Sequence, residues 1–353
     1  MAKRVRQEPT LLPYAGPVTP AELSRTVRHA LCRAVADDAL PGPVPDRVVI
    51  ERPGPGGSGD YATGVALRLA GPAGRPPREV AEILRGRVEA APGAAGAIAR
   101  VEITGPGFLN FTLADDSRDR LRADLVRAVR RDGARYGHGT ALAAAAPARF
   151  APAAETRAQL WTRTAVALLR TQGAAADIVP GAAETLRPAP APAGDHLARL
   201  GPDALRWALL RPAAHDRPYT GPRLLVQRES NPLFRVRYAH ARARALARGA
   251  ADLGITPGYE RGEETHTGLL TALGDHPAVL EAAARLRAPD RLARHLEQTA
   301  ETFLRFQETA RPLPLGDEKP SAAHRSRLAL AAAAGAVLAG GLSLLGIDAP
   351  EHL

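Results

Sequence analysis

From Asp195 to Leu353 the strand signals disappear, and the sequence becomes a succession of helical patterns divided by prolines. Pro232, Pro257, Pro277, Pro289 and Pro312 stand near the starts or breaks of segments whose apolar residues recur at helical spacing. Proline lacks an N–H and fixes φ, so it opens helices well and interrupts them elsewhere. The pattern predicts helices over 203–211, 222–253, 266–273, 276–286, 290–309 and 325–346. Helices of this kind bury one stripe each against their neighbours, so residues 195–353 are expected to form an all-α bundle.

The first part of the chain carries mixed signals. After an N-terminal tail (1–18), Thr19-Pro20-Ala21-Glu22 has the form of a capping box with proline at the first helical position, and Leu23, Val27, Ala30, Leu31 and Ala34 follow on one face. Strands are predicted over 47–51, 99–103 and 108–113, and helices over 61–70 and 77–88. Residues 19–115 therefore read as an α+β domain. A basic helix over 117–131 opens a middle region, 116–194, which holds an alanine run, a helix over 155–172 and the segment Arg187-Pro188-Ala189-Pro190-Ala191-Pro192. Alternating proline blocks regular hydrogen bonding and favours a stiff extended linker, so a domain boundary is expected there.

The net charge of +10 points to an anionic partner, because a basic surface attracts phosphates over long range and releases their counterions. Of the 47 basic residues only Lys3 and Lys319 are lysines, and alanine, glycine and proline abound, so arginine here partly reflects composition. Cys32 is the only cysteine, which excludes an internal disulfide or a thiolate cluster and fits a reducing cytoplasm. Residues 328–347 are uncharged and long enough to cross a bilayer, but alanine and glycine dominate them, so a packed core helix is the expectation and no membrane partner is predicted.

Catalytic motifs are sparse. Gly54-Pro55-Gly56-Gly57-Ser58-Gly59-Asp60 lacks both the Gly-Lys-Ser/Thr ending of a P-loop and dinucleotide-fingerprint spacing, and reads as a turn. The ten histidines show no ligand spacing beside a glutamate, so no metal and no cofactor are expected. Tyr136-Gly137-His138-Gly139 reads as a turn. More informative is 235–244. On a helix Val236, Ala239, Ala243 and Leu246 share the buried face, while Arg235, Tyr238 and Arg242 form a stripe on its shoulder. A ring between guanidinium groups suits a splayed nucleotide, and a solvated arginine face beside a core-edge tyrosine is the plain alternative.

Two separated blocks resemble arginyl-tRNA synthetases. Gly201-Pro202-Asp203-Ala204-Leu205-Arg206, the run from Glu229 to Arg242, and the C-terminal Arg327-Leu328-Ala329-Leu330 and Leu344 to Glu351 resemble that family's DALR anticodon-binding domain; Phe303-Leu304-Arg305-Phe306 stands where the family has an aromatic pair. Residues 59–67 and 105–111 resemble its additional domain, which contacts the tRNA elbow. The blocks fall in the family's order. The resemblance implies tRNA contacts at Phe108, Asn110 and Tyr238, with Arg235 standing where the family usually has another aromatic, and Arg242 joins them as a candidate from the helical stripe.

The middle departs from that pattern. Helix 157–172 before Gly173 resembles the helix that follows a HIGH signature, and counting back places the signature at Pro152-Ala153-Ala154-Glu155, with both histidines gone. Between Pro180 and Asp203 there is no room for most of a nucleotide-binding fold or a KMSKS loop, and adenylate formation needs groups that stabilise charge on the transferring phosphate. The expectation is a non-enzymatic, arginine-tRNA-binding relative with a reduced α/β remnant between two binding domains. The alternative is a protein-interaction module that partners a synthetase or another enzyme without binding RNA.

Overall fold

The computed structural model describes residues 20–45, 48–54, 56–91, 94, 96–260 and 266–353. The N-terminal tail and the first residue of the expected capping box lie outside the described residues. The chain divides into two compact units, one ending at Asp124 and the other comprising Leu125–Leu353.

The first unit is α+β. Helix α1 (Pro20–Ala36) buries Leu23, Val27, Ala30, Leu31 and Ala34, the stripe that its helical spacing dictates. Strands β1 (Tyr61–Thr63), β2 (Ile98–Thr104) and β3 (Phe108–Leu113) form an antiparallel sheet in the order β1-β3-β2, with α2 (Val65–Ala73) and α3 (Pro77–Glu89) packed on it and α1 packed on α3. Alternation along β3 puts Leu109, Phe111 and Leu113 into the core with Val65, Val80 and Leu84. Two expectations change here. Residues 61–63 are not the first turn of a helix, because Tyr61 and Thr63 pair across the sheet with Phe111 and Leu109, and the helix begins only at Val65. Of the strand expected over 47–51, Val48–Ile50 carry no strand and Glu51 makes a single bridge to Ala62.

Helix α4 (Asp115–Asp132) leads into the second unit, where β4 (Ala148–Phe150), α5 (Thr156–Thr171) and β5 (Ala176–Ile178) form a two-stranded parallel unit. Phe150, Val166, Leu169, Ala174 and Ala176 make its small core, and the opposite side of α5, with Trp161 and Leu168, joins the main core of the bundle. The α/β element is therefore small and packed on the helices of the bundle.

The bundle consists of α6 (His196–Leu210), α7 (Pro232–Asp252), α8 (Thr267–Arg285), α9 (Pro289–Thr309) and α10 (Ala322–Leu344). Three helix boundaries differ from the sequence expectation. Helix α6 starts earlier, at His196, and is broken at Gly201, whose φ of 72° and ψ of 172° are non-helical. The helix expected over 222–253 starts at Pro232, because the Asn231 side chain accepts from Leu233 N and caps it. The two helices expected over 266–286 are one, with Pro277 inside it. Tyr136 stacks on the ring of the adjacent His276 at 5.9 Å, and a Cβ on Gly137 would lie 3.2 Å from Pro277 Cα, so bundle packing holds α8 continuous where local chemistry would break it.

Helix α10 packs on α7, α8 and α9. Its small residues permit that closeness: a Cβ on Gly341 would fall 2.4 Å from the Leu296 side chain, and one on Gly340 would fall 2.4 Å from Ala134 O. The Phe303 and Phe306 rings, 6.2 Å apart, are buried in the same core.

Candidate nucleic-acid interface

The two ends of the C-terminal resemblance meet in space. Asp203, in the second part of the kinked α6, lies 3.7 Å from Arg206 and 3.8 Å from Arg237 of α7, and its Oδ1 accepts from Asp348 N at 3.4 Å. Gly346, at φ 71°, lies against Arg206, where a Cβ would be 3.4 Å from Nε. The tail also binds α7: Pro350 O is 2.9 Å from His240 Nδ1, and Arg244 donates to the Glu351 carboxylate at 2.7 Å. Burial holds His240 below its ordinary pKa, and Arg244 holds the Glu351 carboxyl below its own. Distant residues of one sequence pattern thus become a single clamp around the first turns of α7.

The face of α7 that this clamp orients carries the predicted stripe. Val236, Ala239, Ala243 and Leu246 are buried as the periodicity requires, while Arg235 and Tyr238 are half-buried and Arg242 is exposed. With the Gln307 amide turned so that its oxygen faces α7, it accepts from Arg242 Nε at 3.0 Å. The Tyr238 ring stacks on Phe234, one turn earlier, with centroids 5.7 Å apart and planes 12° from parallel. Phe234, which the sequence pattern does not single out, joins this face; its signal is the i,i+4 spacing to Tyr238. Arg237 and Phe234 also line a cavity of about 290 Å³ that reaches the Gly201 break, Leu225 and Leu353. An aromatic step, guanidinium groups and an adjoining recess are the parts with which a protein stacks an unpaired base and holds its phosphate.

In the first unit the turn Gly105-Pro106-Gly107 presents Phe108, which is 37% exposed. Asn110, on the same face of β3 as Phe108, is buried at 2% exposure, and its Nδ2 donates to Thr104 Oγ1 at 2.8 Å and to Phe108 O at 3.3 Å. Phe108 is therefore available at the surface, whereas Asn110 fixes the hairpin that presents it. The Gly59-Asp60 pair has a structural explanation as well. Gly59 has φ 80°, and a Cβ there would lie 2.6 Å from Phe111 O; the Asp60 carboxylate accepts from Leu113 N and from Arg118 at 2.9 Å. That contact raises the Arg118 pKa.

Where the HIGH signature would sit, the side chains are occupied by the fold. Glu155 caps α5, accepting from Ala158 N at 2.8 Å, and its other oxygen accepts from Ala191 N at 3.2 Å. Arg157 is fully buried and donates to the backbone oxygens of Leu209, Ala189, Asp216, Pro212 and Ala213 at 2.6–2.9 Å. Its guanidinium also lies over the Trp161 ring at 5.2 Å, and burial lowers its pKa. Among the described residues no group of three or more His, Cys, Asp or Glu side chains could hold a metal ion.

A helical bundle locked by a Gly-Pro-Asp kink and a C-terminal tail, preceded by this α+β unit, has the class of an anticodon-binding assembly. Residues 236–353 match the DALR anticodon binding domain and residues 21–113 the arginyl tRNA synthetase N terminal domain. The arginine–tRNA ligase of Frankia alni is 28% identical over an alignment of 560 residues that covers 95% of this chain and 100% of the relative. Against 353 residues, more than a third of that alignment has no counterpart in this chain. The fold is shared with the arginyl-tRNA synthetase of Thermus thermophilus (TM-score 0.63, 13% identity, 95% of this chain and 100% of that one). It is shared also with that of Plasmodium falciparum (TM-score 0.61, 8% identity, 96% and 100%). The chain is an arginyl-tRNA synthetase-like protein.

Proposed function

We propose that this protein is a cytoplasmic pseudoenzyme of translation that binds a tRNA, an arginine isoacceptor, by its elbow and anticodon without charging it. The observation that carries the reading is the retention, in order, of an elbow-type and an anticodon-type domain around a β4-α5-β5 piece too small for an ATP site. The interior roles of Glu155 and Arg157 support it, since both side chains near the lost signature are committed to backbone partners. Phe108 and the Phe234, Tyr238 and Arg242 face are the contacts, with Arg235 supplying a phosphate contact where the family has a ring. Asn110 acts by positioning the hairpin.

Filter binding at physiological salt tests the reading, with arginine tRNA, another tRNA and an unrelated RNA of equal length. A preference for tRNA, with no ATP–pyrophosphate exchange by the same preparation, is expected. Equal affinity for all three RNAs, or measurable exchange, refutes it. The buried Asn110 favours one second reading, a protein-interaction module without RNA affinity. That reading expects the tRNA preference to be absent before Tyr238 and Arg242 are substituted.

A further inference from the structure

A second surface, on the far part of the bundle from α7's first turns in sequence, has features that tRNA recognition does not require. Between α8 and α9 lies an open groove of about 810 Å³. Its α8 wall extends from Asp275 to Leu286, about 16 Å at the rise of an α-helix, and presents Ala278, Val279, Ala282 and Leu286 at helical spacing. Leu286 is 56% exposed. The α9 wall carries Arg291, Arg294 and Gln298, again one turn apart.

The charges are arranged asymmetrically. Asp290 is buried at the base of the groove and pairs with Arg294 at 3.0 Å, leaving the Arg294 side chain half exposed. Arg287 is held by Glu184 at 3.0 Å. Arg291 is exposed and makes no side-chain hydrogen bond or ion pair within the described residues, and the highly exposed His215, 3.5 Å from Asp216, also lines the groove. Asp275 is the acidic group at the other end of the α8 wall. Beneath the groove His295 is buried and held neutral, its pKa pushed down to about 4, so the charge facing solvent along the α9 wall comes from arginine.

We infer that this groove is a docking site for an acidic amphipathic helix of a partner protein, whose apolar stripe lies on Ala278, Val279, Ala282 and Leu286 and whose carboxylates meet Arg291 and Arg294. A floor of aliphatic side chains, with Trp161 and His295 buried and only the His215 imidazole exposed among the lining rings, gives a nucleotide little to stack on, whereas it matches the apolar stripe of a helix. The length of the groove accommodates three turns, and one uncompensated guanidinium on its rim sets the sign of the partner's polar face. The inference stands apart from the tRNA reading and holds whether or not RNA is bound.

The test uses a fluorescein-labelled, end-capped 16-residue peptide with leucine at every third and fourth position and glutamate elsewhere, and a scrambled peptide of the same composition. A labelled oligouridylate is the third probe, and all are read by anisotropy on the full chain. The ordered peptide is expected to bind in the micromolar range, and the scrambled one at least tenfold more weakly. Arg291→Glu, at an exposed position, and Ala282→Glu, at a half-buried one on the α8 wall, are each expected to weaken the ordered peptide about tenfold, with the circular dichroism melt of Arg291→Glu unchanged. Equal binding of the two peptides, indifference to both substitutions, or no binding up to about 1 mM overturns the inference. Oligouridylate binding that Arg291→Glu abolishes while the peptide stays unbound assigns the groove to nucleic acid and equally overturns it.

Discussion

Replacing Arg157 by methionine probes how the reduced middle of this chain is held. The guanidinium is fully buried, and its five N–H donors satisfy carbonyls from the Pro/Ala segment, the end of α6 and the stretch that follows it. Methionine fills much of the volume and removes all five donors; Ala213 O keeps its bond from Asp216 N, and the other four oxygens lose the guanidinium. At about 1 kcal/mol for each of those four carbonyls the loss is about 4 kcal/mol; removal of a desolvated charge returns part of it, leaving about 3 kcal/mol. For a unit of this size that corresponds to a fall in melting temperature of roughly 10 °C. Arg157→Lys should rescue little, because a point ammonium cannot address five acceptors arranged around a planar fork. Thermal melts followed by circular dichroism give the shift, and hydrogen exchange localises it to the segments containing Ala189, Ala213 and Asp216. A melt within 2 °C of the parent would refute the claim that these carbonyls depend on Arg157.

Three further outcomes follow from the same structure. His276 and His295 lie 5.2 Å apart in the bundle and are held neutral by burial, with pKa values pushed down to about 3 and about 4 from 6.5. Their depressed values mean that the bundle has its full stability above pH 6.5 and loses it as the pH falls toward 4. Urea midpoints at pH 7 and pH 5 should differ by about 2–4 kcal/mol in unfolding free energy, and equal midpoints would contradict the buried-neutral assignment. Tyr238→Ala removes the outer ring of the stacked pair, so tRNA affinity should fall about tenfold at constant salt with the melt unchanged; unaltered affinity would remove Tyr238 from the interface. Gly59→Ala forces a Cβ to 2.6 Å from Phe111 O at a positive φ, and should destabilise the first unit by about 2 kcal/mol or more; a wild-type urea midpoint would show that the turn relaxes freely.

Some of this architecture was legible in the sequence because it is local. The buried stripes of α1 and α7, the alternation along β3 and the proline opening α9 each depend on residues within a few positions of one another. The ordered blocks that resemble arginyl-tRNA synthetases were legible for a related reason, since short contiguous motifs survive as strings. The α7 stripe of Arg235, Tyr238 and Arg242 lies on the half-buried to exposed shoulder that helical geometry assigns it. Phe234 escaped notice because an aromatic pair one turn apart can lie in the core or outside it, and only the neighbouring elements choose.

What tertiary structure alone decided concerns partners far apart in the chain. Tyr61–Thr63 is a strand because β3 lies alongside it, and α8 continues through Pro277 because Gly137 and Tyr136 pack against it. Asn110 is buried by its bonds to the hairpin, whereas Phe108 on the same face of β3 stays exposed. Asp203, Arg206, Gly346 and Asp348 form one clamp only after the bundle closes, and Arg157 finds its carbonyls only when α6 and the Pro/Ala segment reach it. Periodicity records which face of an element avoids water; it holds no record of which distant backbone group a buried charge or amide will meet. Sequence therefore determined the helices, the core stripes and the family resemblance, while the folded chain decided which motif residues face outward for a ligand and which serve the fold.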